Sequence, residues 1–401
     1  MTPPSLGCSS TCVVGGREQF ALPKLRCLYL LILLLPALHN AASQLTTAER
    51  KAWVGDAPAT VSPIASDLSA RLVKKDVSHA IQKVADWQLA RAQQGFDQDW
   101  TFAALYTGFM AVPKAAGGAK YQDTMLEMAK RFQWQLGPRP EHADDHAIGQ
   151  TYLELYSRSH EPAMMKPTQA RMDSLLQVRD NPQKPLWWWC DALFMAPPVL
   201  AKLSQITGDR KYLDFMDHEW WITSNLLYSS KNHLYFRDSS FLDKHQANGA
   251  SLFWSRGNGW VLAGLARVLT VMPKDYPTRD KYVAQYKEMA DELASLQSPD
   301  GLWRPGLLDA DAYPLPEVSG SAFYAYGLAW GINSGILDRK KYLPVVQKAW
   351  HGLLSHVYQD GRLGSIQPVG GSPDVFTPTS SYVFGVGAYL LAGSEIYRLA
   401  R

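Results

Sequence analysis

The stretch "PLWWWCDALFMAPPVLAKL" places one carboxylate, Asp191, directly after three tryptophans and a cysteine and before a long apolar segment. A packed core explains the aromatic rings but not the charge. Apolar neighbours raise the pKa of a carboxyl group, which prepares it to hold and deliver a proton near neutral pH. The pattern makes Asp191 a candidate acid–base residue, with Trp189 as a wall of its pocket and Trp187 and Trp188 as packing residues. The alternative is that Asp191 only caps the helix that follows it.

A second candidate carboxylate lies in "HADDHAIGQTYLELY", where Asp144 and Asp145 are adjacent. One of them could orient a water molecule or bind a sugar hydroxyl, and either could equally cap the following helix. The sequence does not choose between the two. His142 and His146 have helical spacing and would suit a metal site, but no third remote ligand is evident. We therefore expect no metal and no cofactor.

A third candidate motif is "WSRGNGW", in which Trp254 and Trp260 bracket Arg256 and a glycine-rich turn that brings backbone close to a ligand. Pyranose C–H faces pack on aromatic rings, and the planar fork of an arginine binds a carboxylate with two hydrogen bonds. These residues predict a pocket for an acidic sugar. Ordinary core and surface positions are the alternative for all three side chains.

Cysteine is rare in this chain, and Cys8, Cys12 and Cys27 fall in or before an apolar leader, which leaves Cys190 in the mature protein. A single cysteine predicts no internal disulfide. We expect Cys190 to be a small buried residue and not a nucleophile, because no histidine stands near it in the sequence.

The elements that position these motifs are predicted to be helices, since apolar residues past residue 60 follow a helical period with few alternating runs. One set of segments is charged and amphipathic: 76–94, 120–136, 166–180, 210–229, 279–297 and 339–359. A second set alternates with it and is apolar nearly all round, which is typical of helices buried on every side: 100–112, 144–156, 190–203, 256–269, 319–332 and 380–393. Six wet and six dry helices in alternation predict an all-α fold, the (α/α)6 barrel.

Polar and aromatic residues of the dry helices concentrate at their N-terminal ends. If these helices run parallel, the ends meet at one mouth of the barrel, where helix N-termini favour an anionic ligand. Glu317, Ser319 and Ser380 are expected to be helix caps. The other polar and aromatic residues at these N-terminal ends are the candidate site residues named above, together with Asp99 and Trp100.

Length and composition agree with one large domain, since 401 residues with 46% apolar content support a substantial core. The formal net charge of +3 gives no indication of a nucleic-acid partner. Lys24 and Arg26 precede "LYLLILLLPAL" and the small residues "NAAS", which predicts a cleaved leader over residues 1–43 and a single catalytic domain over 44–401. We expect export to the periplasm or beyond, no membrane association after export, and a monomer.

Five stretches together resemble glycoside hydrolase family 105, the unsaturated rhamnogalacturonyl hydrolases, and more distantly the unsaturated glucuronyl hydrolases. They run from about residue 90 to the end of the chain: "ADDHAIGQTYLELY", "LWWWCDALFMAPP", "FWSRGNGWVLAGLARVL", "SGSAFYAYGLAWGI" and "FGVGAYLLAGSEIYRL". The resemblance implies the (α/α)6 fold and removal of a 4,5-unsaturated galacturonic acid from the non-reducing end of rhamnogalacturonan-type oligosaccharides. In that reaction an aspartate protonates C4 of the double bond, water adds at C5, and the hemiketal product opens.

The resemblance also implies roles for single residues. Asp191 matches the family's acid–base aspartate, and Asp144 or Asp145 matches its second aspartate. Some members have a histidine near "NHLYFRDSS", so either His233 is shifted or Arg237 takes that place. The expected sugar contacts are Trp189, Trp254, Arg256, Trp260, Trp100 and Arg237.

Two other functions remain compatible with the sequence. An ordinary inverting glycosidase would use Asp191 with Asp144 or Asp145 on a saturated glycosidic bond of a uronic-acid-containing oligosaccharide. A sugar-binding protein would use the aromatic mouth without any chemistry.

Overall fold

The computed structural model describes residues 52–179, 181 and 185–401, and the predicted leader lies outside the described residues. In chain order the elements are β1 (Gly55–Asp56), α1 (Lys74–Ala92), α2 (Trp100–Ala111), α3 (Gly118–Arg131), α4 (Ala143–His146), α5 (Gly149–Ser159), α6 (Pro162–Leu175), α7 (Ala192–Met195), α8 (Pro197–Thr207), α9 (Lys211–Leu227), β2 (Tyr228–Ser229), β3 (Leu234–Tyr235), α10 (Ser255–Val271), α11 (Arg279–Ser295), α12 (Val318–Asn333), α13 (Arg339–Leu354), β4 (Ser381–Tyr382) and α14 (Val383–Leu399).

An inner ring of helices surrounds the barrel axis: α2, α4–α5, α7–α8, α10, α12 and α14. Each member packs on the next, and α14 packs on α2, so the ring is closed. An outer layer surrounds it, in which α1 packs on α14, and α3, α6, α9, α11 and α13 each pack on the inner helix that precedes them. Because every outer helix returns the chain, the inner helices run parallel. The predicted (α/α)6 barrel is confirmed.

Two inner members are broken near their N-terminal ends, which the helical period did not predict. α7 ends at Met195 and α8 begins at Pro197, which has no backbone N–H to donate a helical hydrogen bond, although the backbone of Ala196 between them stays in the right-handed helical region. A similar break at residues 147–148 separates α4 from α5. The two one-turn helices, α4 and α7, contact each other at the mouth.

Glycine permits the ring to close where α14 meets α2. A Cβ atom on Gly387 would lie 2.2 Å from the carbonyl oxygen of Ala104, and one on Gly108 would lie 2.6 Å from the carbonyl oxygen of Gly387. Two helix backbones therefore touch directly, an approach that any side chain at these positions would prevent.

Short strands connect distant parts of the chain. β1 pairs with β4 in antiparallel register, with Gly55 opposite Tyr382, and β2 pairs with β3 as a hairpin. Among the described residues, no helix is long and apolar enough to cross a membrane.

Candidate active site

Asp191 lies at the mouth of the barrel, at the residue before α7. The segment that carries it is fixed to the chain after β3, because Trp189 forms a β-bridge with Asp238 and the Cys190 N–H donates to the Arg237 carbonyl oxygen at 2.8 Å. The side chain of Asp191 makes no capping hydrogen bond, so the capping role considered from the sequence is not the one it has here.

Burial raises the pKa of the Asp191 carboxyl group. The positive charges of Arg237 and Arg256 and a hydrogen bond from the Cys190 thiol act in the opposite direction but do not cancel the effect of burial. Asp191 is 9% exposed, so its carboxyl group is largely desolvated. The predicted burial of this carboxyl group is therefore present, but charged side chains surround it as well as apolar ones.

Asp144 is the second perturbed carboxylate of the mouth. Burial and the nearby charge of Asp191 raise its pKa to about 7. The opposing charge of Arg139 is 3.8 Å away from it, too far for a short hydrogen bond. Asp144 and Asp191 are thus coupled, and two coupled carboxylates near neutral pH can hold one proton between them.

Asp145 has a different environment although it adjoins Asp144. Its carboxylate accepts hydrogen bonds from Arg139 through the backbone N–H at 2.5 Å, Nε at 3.1 Å and Nη2 at 2.7 Å. Burial alone would raise the pKa of Asp145, but the hydrogen bonds and charge of Arg139 outweigh it and hold that pKa below its usual value. Asp145 therefore stays ionised and fixes the loop before α4, while Asp144 is the residue of the pair that can exchange a proton.

Aromatic rings form a wall beside these carboxylates. The Trp189 ring lies 4.8 Å from the rings of both His142 and Trp188. Trp187 is fully buried, as predicted, whereas Trp188 is 37% exposed and does not simply pack. The guanidinium of Arg237 lies over the Trp188 ring, 5.3 Å from its centre.

The structure buries the Arg256 side chain completely, and its predicted contact with a sugar stays a prediction. Its Nη1 and Nη2 groups donate to the carbonyl oxygens of Gln367 and Pro368, each at 2.7 Å. Trp254 is also buried and donates to the Gln367 side chain at 3.1 Å. Both residues hold the loop that begins at Gln367.

Trp260 is likewise buried, and its predicted contact with a sugar stays a prediction. It is 1% exposed and packs between Phe194 and Phe323, with ring centres 4.9 and 4.3 Å away. Trp100 stands edge-on to it at 6.0 Å and is only half-buried. Trp100 is therefore partly accessible, and the Trp260 ring packs against it.

Arg237, and not His233, lies near the carboxylates. Arg237 contributes to the electrostatic environment of Asp191 and forms an ion pair with Asp238 at 2.6 Å. His233 turns away, with Nδ1 at 3.5 Å from Glu288 on α11. Of the two residues between which the sequence left a choice, Arg237 is the one placed beside Asp191, and its contact with a substrate stays a prediction.

Of the three residues expected to cap helices, Glu317 does so, whereas the hydroxyl groups of Ser319 and Ser380 donate hydrogen bonds to other groups. The Glu317 side chain accepts from the backbone N–H groups of Ser319 and Gly320 at the start of α12, and the Ser319 hydroxyl also donates to it. Glu317 further accepts from the Gln367 N–H at 3.1 Å, so it helps to anchor the same loop as Arg256. Ser380 is buried, and its hydroxyl donates to the Ile366 carbonyl oxygen.

The sequence of the chain matches the family model described as Glycosyl Hydrolase Family 88 over residues 72–400. An unsaturated 3S-rhamnoglycuronyl hydrolase of Formosa agariphila is 40% identical over 336 residues, which are 79% of this chain and 89% of that protein. The chain belongs to glycosyl hydrolase family 88. A solved glycosyl hydrolase of family 88 from Bacteroides vulgatus superposes with a TM-score of 0.77 at 31% identity, covering 81% of this chain and 99% of that one.

This family 88 chain is thus a glycoside hydrolase, and its relationship to the unsaturated uronyl hydrolases is confirmed. A possible member of family 105 from Salmonella enterica has the same fold, with a TM-score of 0.69 at 19% identity over 85% of this chain and all of that one. At that identity the likeness concerns the fold alone.

A cavity of about 780 Å³ adjoins the aromatic wall of the family 88 site. It is lined by Trp188, Trp189, His142 and Arg139, together with residues of α9 and of the loop before α7. The places of Arg139 and His142 in the wall of this cavity were not predicted from the sequence. The only local signal was their place in "GPRPEHADDH", immediately before the paired aspartates.

The two histidines of the alternative metal site in this family 88 chain are engaged with the backbone. His142 Nδ1 accepts from the Asp144 N–H at 3.3 Å, and His146 Nε2 lies 2.8 Å from the Pro140 carbonyl oxygen. Within the described residues, no group of three or more His, Cys, Asp or Glu side chains is arranged to hold a metal ion.

Proposed function

We propose that this hydrolase removes a 4,5-unsaturated uronic acid from the non-reducing end of an oligosaccharide by hydrating the C4=C5 double bond. The observation that carries the proposal is the coupled pair at the mouth, with the pKa of Asp191 raised and that of Asp144 raised to about 7. Such a pair supplies a proton donor and a proton acceptor at the same pH.

The chemistry follows from opposite protonation states of the two aspartates. Protonated Asp191 gives its proton to C4, and the carboxylate of Asp144 takes a proton from the water that adds at C5. The product is a hemiketal at C5, which opens and releases the rest of the oligosaccharide. Exchange of protons with solvent restores both residues, and no glycosyl-enzyme bond is formed.

The acidic group of the substrate requires a cation, and Arg237 is the best candidate. Its guanidinium is partly exposed at the mouth and already lies near Asp191, whereas the two terminal nitrogens of Arg256 are bonded to carbonyl oxygens. An arginine fork suits a planar carboxylate. Trp100 and Trp189 would pack on the faces of the sugar ring.

The remaining part of the oligosaccharide would occupy the cavity of about 780 Å³ against Trp188 and Trp189. We propose rhamnose as the second sugar, in keeping with the name of the Formosa relative. Because elimination removes the stereochemistry at C4 and C5, an unsaturated residue is the same whether it came from galacturonate or glucuronate. A pectin fragment and another rhamnose-containing polyuronide therefore differ only in linkage and second sugar.

The decisive experiment follows the ultraviolet absorbance of the double bond with an unsaturated uronyl-rhamnose, its 3-sulfated form and a saturated disaccharide. We expect the absorbance of at least one unsaturated substrate to fall and the saturated one to stay intact. Turnover of the saturated substrate alone would instead indicate the ordinary inverting glycosidase.

Asp191→Asn is expected to lower kcat by roughly 100-fold to 10,000-fold, because it removes the acid–base group, while leaving substrate binding nearly unchanged. Stopped assays and binding titrations on the same variant measure both quantities. Full retention of activity would reject Asp191 as the acid, and a wild-type protein that binds without turnover would be a sugar-binding protein.

We further propose that the protein is exported, with cleavage near Ala42 or Ser43, and that it acts as a monomer. Lys24, Arg26 and the following apolar run support the export proposal. N-terminal sequencing of the protein recovered from its native compartment tests the cleavage, and light scattering tests the monomer.

A further inference from the structure

The buried Cys190 thiol has a contact that its place in an apolar run does not explain. Its Sγ atom lies 3.3 Å from Oδ1 of Asp191, within the hydrogen-bond range for sulfur. When Asp191 is ionised the thiol is the donor in this contact, because an ionised carboxylate can only accept. Cys190 is fully buried, as predicted, but it is not merely an apolar filler.

Gly257 on α10 provides the space for this contact. A Cβ atom at that position would lie 3.1 Å from the Cys190 sulfur and 3.4 Å from Oδ1 of Asp191. A side chain at 257 would therefore press on the thiol and touch the inner oxygen of the carboxylate. The backbone of this glycine of "RGNG" lies beside the thiol and the carboxylate.

We propose that Cys190 is a positioning residue, whose thiol holds Oδ1 of Asp191 and leaves Oδ2 as the oxygen that turns towards the substrate. The inference rests on the proposed function, since it concerns the orientation of the proposed acid. It assigns no bond-making role to the sulfur.

The charged groups that face Asp191 come from three other elements. Arg237 and Asp238 follow β3, Arg256 lies on α10, and Asp144 lies on α4. A change at Cys190 leaves all four in place. The hydrogen bond stabilises the ionised form of Asp191, so its loss should raise the pKa of that carboxyl group.

The test compares Cys190→Ala, which lacks a donor, with Cys190→Ser, whose hydroxyl is a stronger donor than a thiol. The Asp191 carboxyl group is titrated without substrate, from infrared difference spectra between each protein and its Asp191→Asn counterpart. We expect the Asp191 midpoint to rise by roughly half a pH unit in Cys190→Ala and to fall in Cys190→Ser, because hydrogen bonding to the charged form lowers a carboxyl pKa. The alkaline limb of the pH profile of kcat/KM should move to higher pH in Cys190→Ala and to lower pH in Cys190→Ser, while KM stays constant.

The control is Ser394→Ala, which also removes a buried hydrogen-bond donor. The Ser394 hydroxyl donates to the carbonyl oxygen of Leu391, 3 residues before it, near the end of α14. This variant should shift neither the Asp191 midpoint nor the alkaline limb of kcat/KM. A purely structural role for Cys190 would change the unfolding temperature without opposite shifts, and that outcome would overturn the proposal. If Cys190→Ala does not fold, Gly257→Ala, which crowds the same two atoms, should raise the midpoint instead. Because the infrared titration needs no turnover, failure of the proposed activity and failure of this positioning role are measured separately.

Discussion

At the scale of single residues, two adjacent aspartates have opposite electrostatic environments. Asp145 receives three hydrogen bonds from Arg139, whereas Asp144 faces the charge of Asp191 in a buried position. Two consecutive positions of the chain thus hold a carboxyl group that titrates near neutral pH and a fixed structural anion. The sequence could not decide between them, because the decision depends on where the Arg139 side chain folds back.

Asp144→Asn is expected to stabilise the protein above neutral pH. A carboxyl group whose folded pKa is raised to about 7 binds its proton more tightly in the folded state, so its contribution is lost as pH rises from its unfolded value through 7. Over that window the wild type loses up to about 1.4 kcal/mol per pH unit from this group. Urea unfolding at several pH values should show that the free energy of unfolding of the variant rises relative to that of the wild type as pH rises, although the variant loses activity.

Asp145→Asn is the matched control and should have the opposite sign. Its folded pKa is depressed, so its stabilising contribution is present above the unfolded pKa and is lost as pH falls through the folded value. Because the Arg139 guanidinium is half-exposed, the charge pair itself is partly screened, and we expect a loss of about 1–2 kcal/mol from the hydrogen bonds at neutral pH. Equal effects of the two substitutions would contradict the assignment of roles.

At the scale of elements, the helices were predictable and the loops that complete the site were not. The inner helices are apolar on all sides because they are buried on all sides, so their composition identifies them. The two carbonyl oxygens that Arg256 contacts belong to residues 111 and 112 positions further along the chain. No local sequence pattern connects an arginine at the start of α10 with such distant partners. In this structure Arg256 of that motif anchors a loop, a role that its sequence did not predict.

Arg256→Lys should loosen the loop that starts at Gln367 while keeping a positive charge near Glu317, which lies 3.9 Å away. A lysine cannot make both hydrogen bonds with the arginine geometry, and the loss should be about 1–3 kcal/mol in the free energy of unfolding. Gly371 of this loop lies against Arg237, so we also expect KM to rise. Limited proteolysis should cut the variant between residues 367 and 377 faster than the wild type.

Arg267→Lys supplies the comparison for that experiment. Arg267 also bonds to a glutamate, Glu154, but near the other end of the inner ring. Arg267→Lys should lower the free energy of unfolding without faster cleavage of the loop that starts at Gln367. Equal proteolysis of both variants would show that the loop does not depend on Arg256.

At the scale of the whole molecule, the barrel depends on the seam between α2 and α14. Gly387→Val should lower the free energy of unfolding by about 3 kcal/mol or more, because its side chain would overlap the Ala104 carbonyl oxygen 2.2 Å from the Cβ position. Gly370→Ala is the control, since its Cβ would meet its nearest atom at 3.6 Å, an ordinary contact. Chemical denaturation measures both, and a Gly387→Val protein as stable as the control would show that the seam is adaptable.

The same seam sets the order in which the chain can become a barrel. α2 acquires its neighbour on one side early, from α5, but its neighbour on the other side is the last helix of the sequence. The pairing of Gly55 with Tyr382 is similarly remote, and such distant contacts form slowly because a long loop of chain must close first. In a nascent chain emerging from the ribosome, one apolar edge of α2 therefore stays uncovered until α14 has been made. Any factor that protects this protein during synthesis has to act on that edge.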